Sequence, residues 1–190
     1  LNNKSMVYIL IFIVIFFLFI DFLTLFFRNP NFTVEYYNSD IYVSYGPEAT
    51  ITTISGLRFK NEKKKAEYVE TYKRTSLETF KKYFSEVSKE IGKEISVVDF
   101  KSHIEERNGI MEVTESVTLK GLVQQVDSNY ILDMGQIQMN SVENASLKVN
   151  LPEDAKIETI EPTPTKIIGT MIVWSGSSIK TFPRIKFRRG

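Results

Sequence analysis

SVVDFKSHIEERNGIMEVTESVTLK, residues 96–120, carries the strongest fold signal in this chain. Asn108-Gly109 lies between two alternating runs, and both residues tolerate the positive φ that a type I′ turn requires at its two central positions. A two-residue turn fixes the register. Arg107 faces Ile110, and counting back places Val98 opposite Leu119, Phe100 opposite Val117 and Ile104 opposite Val113 on one side. Asp99 faces Thr118, Lys101 faces Ser116, His103 faces Thr114 and Glu105 faces Glu112 on the other. One apolar and one polar face is the pattern of an antiparallel sheet covered on one side only. Two positions break it: Glu115, opposite Ser102 on the apolar side, and the like-charged pair Glu105–Glu112.

Upstream the period changes from two to between three and four. In KKKAEYVETYKRTSLETFKKYFSEVSKEIG, residues 63–92, an apolar stripe runs through Val69, Tyr72, Leu77, Phe80, Phe84, Val87 and Ile91. The opposite face is rich in Lys and Glu, so the segment predicts an amphipathic helix ended by Gly92. Thr75-Ser76-Leu77-Glu78 has the spacing of a capping box and allows two helices. The uninterrupted stripe favours one long helix. Before it, Phe32–Tyr45 and Ala49–Lys60 read as an antiparallel pair, with Asn38-Ser39-Asp40 a kink or turn and Gly56 a bulge. After Gly121 come short strands: around Tyr130–Met139, then Ala145–Leu151, Lys156–Glu161, Lys166–Trp174 and Ile179–Phe187. Strands, a helix and more strands imply an α+β fold, a mainly antiparallel sheet packed on one long amphipathic helix.

At the amino-terminal end, only Asp21 and Thr24 interrupt an apolar run from Met6 to Phe27. As a helix, 22 residues reach about 33 Å, enough for a hydrocarbon core of about 30 Å. The run is too long for a cleaved leader and lacks a small-residue cleavage site, so it reads as an uncleaved signal-anchor. Residues 1–30 are then a membrane anchor with the lipid bilayer as partner through residues 6–27, and residues 31–190 a single extracytoplasmic domain. Lys4 and Arg28 nearly balance the flanking charge, and the five-residue tail before the run favours an outer placement of the domain. Asp21 is either a protonated acid close to the headgroups or a polar contact to a membrane-protein partner or a second copy.

Of 24 basic and 23 acidic residues, only Lys4, Arg28 and Asp21 precede residue 31. The domain is therefore electrically neutral, which argues against a nucleic-acid partner. Only the tail PRIKFRRG is locally basic. The chain has no cysteine, so thiol nucleophiles, disulfides and thiolate metal sites are excluded. Abundant Lys, Glu and Ile with a single His lean toward a thermophile.

No nucleophile elbow, phosphate loop, dinucleotide fingerprint or zinc-protease motif occurs. His103, the only histidine, falls on the polar side of the hairpin and reads as a surface residue. Asp133, Glu153-Asp154 and Glu105-Glu106 read as turn residues, and Trp174 as a core residue. No catalytic, cofactor-binding or metal residue is assigned. The two sequons, Asn31-Phe32-Thr33 and Asn144-Ala145-Ser146, occur at the frequency expected by chance.

Leu151-Pro152, Asp154-Ala155, Pro162, Pro164, Trp174, Gly176 and Pro183, across the last sixty or so residues, form a strand–proline–Trp pattern. It resembles uncharacterised extracytoplasmic domains held by one N-terminal helix in thermophilic bacteria and archaea. The resemblance implies placement and architecture, and no activity. The expected function is thus a membrane-anchored, non-catalytic binding or scaffolding module. The alternatives are a small-ligand or polysaccharide binder, a hydrolase using carboxylates, and an accessory subunit of a membrane complex contacting partners near Asp21.

Overall fold

β1 (Phe32–Val43) and β2 (Glu48–Phe59) form the first antiparallel pair, joined through Gly46-Pro47. The computed structural model describes residues 32–74, 77–133, 143–179 and 181–190. The apolar run with Asp21, the start of the first sequon, Thr75-Ser76 and the Met134–Met139 segment lie outside the described residues. Among the described residues, no helix is long and apolar enough to cross a membrane.

β3 (Ser96–Arg107) and β4 (Ile110–Lys120) form the expected hairpin, with Asn108 and Gly109 at φ 52° and 73°. Pairing follows the predicted register from Arg107–Ile110 back to Asp99–Thr118. There it slips: Val97, not Val98, faces Leu119. Val98 is the extra residue of a bulge and points to solvent, while Val97 is buried in its place. The seven-stranded sheet runs β3-β4-β2-β1-β7-β10-β9, with β7 (Ala145–Asn150), β9 (Lys166–Ile168) and β10 (Met171–Ser175). The segment expected as one strand over Lys166–Trp174 is a hairpin, folded back at Gly169 with φ 59°.

A second sheet of four strands runs β5-β6-β11-β8, with β5 (Val123–Val126), β6 (Asn129–Leu132), β8 (Ala155–Glu161) and β11 (Arg184–Arg189). Its Leu132, Ile185 and Phe187 enter one core with Val149, Ile172 and Trp174 of the large sheet. Trp174 is buried and donates its indole N–H to the Pro162 carbonyl at 3.1 Å.

The α+β expectation is overturned. The described chain is mostly β, with eleven strands in two sheets and two short helices, α1 (Glu62–Tyr72) and α2 (Leu77–Ile91). Among the described residues there is no long amphipathic helix. Asn61 caps α1, its side chain accepting from the Lys63 and Lys64 amides. The stripe does continue across the break, but it meets two separate cores. Tyr68 and Tyr72 of α1 join Phe32, Leu57, Met111 and Val113, whereas Phe80 and Phe84 of α2 join the main core. Phe80 stacks on Phe100 with ring centroids 3.7 Å apart.

Gly92 ends α2 with φ 65°, as expected. Gly56 is not itself a bulge. The register shift falls opposite it, between Val34 and Tyr36, and the Tyr36 ring lies directly over the glycine, where a Cβ would overlap it. Asn38-Ser39-Asp40 does not turn, and β1 runs straight through it.

Candidate functional site

What separates the two cores is a row of polar residues crossing the sheet. Ser102 of β3 pairs with Glu115 of β4, Glu115 with Thr53 of β2, and Thr53 with Ser39 of β1. The next row toward the main core is apolar throughout, Phe100–Val117–Ile51–Ile41. Strand alternation puts both rows on the helix-covered face, because they lie two residues apart on every strand. Ser39 and Thr53 are buried, Glu115 is part-buried and Ser102 is exposed, so the row opens to solvent at the sheet edge.

Over that opening sits the end of α1. Tyr72 donates its hydroxyl to the Glu115 carboxylate at 2.9 Å, and Ser102 hydrogen-bonds the same phenol. Burial pushes the Glu115 carboxyl up to about 7, against which the Tyr72 hydrogen bond acts only in part. Burial also raises the phenols of Tyr37, Tyr68 and Tyr72, each reinforced by the nearby Glu115 charge. A low-dielectric surround penalises a carboxylate and a phenolate alike, so the cluster favours protons on all of them.

Outside Tyr72 is a groove of about 530 Å³ between α1 and the edge of the sheet, lined by Val69, Tyr72, Lys73, Ser102, His103 and Ile104. Among the described residues, none that lines it carries a carboxylate. Glu115 stands behind Tyr72, outside the lining. Ser102 and His103 are successive strand residues whose side chains leave opposite faces, so they do not form a nucleophile–base pair. Among the described residues, no group of three or more His, Asp or Glu could hold a metal ion. The described residues of the groove thus offer surface and hydrogen-bonding groups.

The positions singled out in the sequence scatter. His103 lies on the groove rim, opposite Thr114 as expected. Asp133 pairs with Lys93 at 2.9 Å and with Arg184 at 3.8 Å, bracing the junction between α2 and the small sheet. Asp154 accepts from the Tyr45 hydroxyl at 2.8 Å. The Glu105–Glu112 clash is relieved from two sides: Arg107 lies 2.8 Å from Glu105, and the Tyr36 hydroxyl donates to Glu112. Sequence reasoning places Tyr72 only in the apolar stripe and Glu115 only as a blemish in the hairpin pattern, and so misses their pairing. An acid on the apolar face of a strand is the available signal.

Residues 32–188 match a domain of unknown function, DUF4897, and the chain belongs to that family. No curated protein matches it. Among solved structures, the chain is similar to the folded domain of LppM from Mycobacterium tuberculosis, determined by NMR. The two are 12% identical with a TM-score of 0.44 over 81% of this chain and 89% of that one. A likeness that low carries no argument about function.

Proposed function

We propose that this chain is a non-catalytic binding module held at the outer face of a membrane by the run from Met6 to Phe27. The groove between α1 and β3 is its contact surface. One observation carries the binding reading over a carboxylate-dependent hydrolase: among the described residues the groove wall contains no carboxylate, whereas acid–base pairs in such enzymes must face each other across a cleft. The anchor rests on the length and apolarity of the run, which match a bilayer core.

Protease added outside intact cells, with the chain followed by an antibody to its C-terminal tail, tests the placement. The reading expects the chain in the membrane fraction and its domain digested from outside. A freely soluble chain, or a domain protected until the cells are opened, overturns it. Turnover of any substrate in a broad hydrolase panel, lost on substitution of Ser102 or His103, overturns the non-catalytic half.

A further inference from the structure

β3 is the end strand of the seven-stranded sheet, and among the described residues nothing pairs with its outer edge. In the two-residue hairpin Arg107 and Ile110 exchange hydrogen bonds, so every second residue back along β3 also bonds toward β4. Arg107, Glu105, His103, Lys101 and Asp99 are those residues. The amides and carbonyls of Ser102, Ile104 and Glu106, and the carbonyl of Phe100, therefore point outward from the sheet edge and can bond another strand, while the Phe100 amide donates to the Asp99 carboxylate at 2.9 Å.

The outer-face side chains read Asp99, Lys101, His103, Glu105, Arg107. That order is its own electrostatic complement. Turned antiparallel about His103, it sets Asp99 against Arg107 and Lys101 against Glu105, twice each. Moving the centre to Ser102 sets Asp99 against Glu105. Moving it to Ile104 sets Lys101 against Arg107. Only the His103 centre matches every charge. In that register Phe100 meets Glu106 and Ser102 meets Ile104, and these are the four residues whose backbone groups face outward. The regular stretch of β3, from Asp99 to Arg107, is centred on the same residue, because the bulge at Val98 ends it.

We propose that β3 pairs with β3 of a second copy of this chain, antiparallel and centred on His103, joining two seven-stranded sheets edge to edge. Charged residues and a bulge on an edge strand ordinarily ward off other strands. Here the same charges admit one partner, the identical strand in one register. The ion pairs within one chain, Lys101–Asp99 at 3.2 Å and Arg107–Glu105 at 2.8 Å, join side chains that are exposed, or in Glu105 half-buried, and that can exchange partners across the interface. Two grooves then meet at the axis, since Ser102, His103 and Ile104 line each of them. Self-pairing does not depend on the membrane placement.

The absence of cysteine makes the register directly readable. His103→Cys and Lys101→Cys are made separately in the full chain, reconstituted in lipid nanodiscs and oxidised. Residues facing each other in a non-hydrogen-bonded antiparallel pair lie about 4.5 Å apart, within disulfide range. Two thiols introduced at position 101 are, in the proposed register, four positions apart along the strands, about 13 Å. Association through the anchor alone brings both variants together equally.

The expected result is a disulfide dimer of the His103→Cys chain, formed at least about tenfold faster than that of the Lys101→Cys chain. Adding Lys101→Glu to the His103→Cys chain turns two attractive pairs repulsive and slows the reaction by about tenfold; adding Glu105→Lys as well restores it. Equal rates at 101 and 103, no disulfide at either, or a double charge swap that fails to restore the rate would each overturn the pairing. Lys101 and Glu105 lie on the outer face, and the double swap keeps net charge, so misfolding is distinguished by the unchanged fluorescence of buried Trp174.

Discussion

Replacing Glu115 by Gln removes the part-buried acid beneath the groove and makes a signed prediction about stability. The folded chain holds the Glu115 proton up to about pH 7, whereas an ordinary glutamate, as in the unfolded chain, loses it near 4.5. Below about 4.5 both states are protonated and the contribution is fully present. As pH rises toward 7 the unfolded chain releases its proton while the folded chain keeps it, so stability falls, and it levels off above 7. The gap corresponds to roughly 3 kcal/mol. Glu35 and Glu67, held below the ordinary range chiefly by hydrogen bonds from Arg58 and Lys64, act in the opposite sense and at lower pH. The window between about 4.5 and 7 thus belongs to Glu115. Glutamine keeps the shape and an acceptor for the Tyr72 hydroxyl but has no proton to lose. Urea unfolding followed by Trp174, the only tryptophan, gives stability at each pH from 5 to 8. Wild-type stability is expected to decline across that range, and the Glu115→Gln variant to stay level and exceed it by roughly 2–3 kcal/mol at pH 8. A wild-type curve that is flat or rising from pH 5 to 7, or a variant retaining the decline, refutes the reasoning.

Gly121→Ala tests the junction where β4 leaves the sheet. Gly121 has φ 99°, and a Cβ there would collide with the Glu94 carbonyl oxygen, so the substitution should cost at least ~2 kcal/mol in the same titration. Trp174→Phe removes the hydrogen bond to Pro162 and opens a void between the two sheets; a loss of about 2–3 kcal/mol is expected, read by thermal melting in far-ultraviolet circular dichroism. Tyr36→Phe takes one of the two groups that relieve the Glu105–Glu112 clash. It should cost about 1 kcal/mol, with Arg107 left to balance both acids.

Local pattern made the hairpin legible, because turn chemistry and alternation are read within a few residues. Its register held from Arg107 to Asp99 and failed only at Val98, where both candidates for the inward position are valines and side-chain type cannot choose between them. The helix break was legible in part. Thr75-Ser76-Leu77-Glu78 announced it, but the stripe through Tyr72 and Phe80 continued across, since both sides bury apolar residues. The reason for two helices lies in the sheet below, where Thr53, Glu115 and Ser102 interrupt the apolar surface. Those three become neighbours only through the pairing of strands far apart in the chain. The second sheet was hidden for the same reason: β11 joins β6 and β8, and nothing near Arg184–Arg189 names Asn129–Leu132 as its neighbour. Glu115 was visible as an anomaly, but its tyrosine cage was not, because Tyr37, Tyr68 and Tyr72 come from β1 and α1.

The claim that this domain works by contact at the β3 edge and its groove is tested most directly by photocrosslinking in native membranes. A photoreactive side chain is placed at His103 in one chain and at exposed Val126, on the far hairpin of the small sheet, in another. Crosslinked protein, to a second copy or to a partner, is predicted from position 103 and not from position 126. Equal labelling at both positions, or none at 103, would contradict the account.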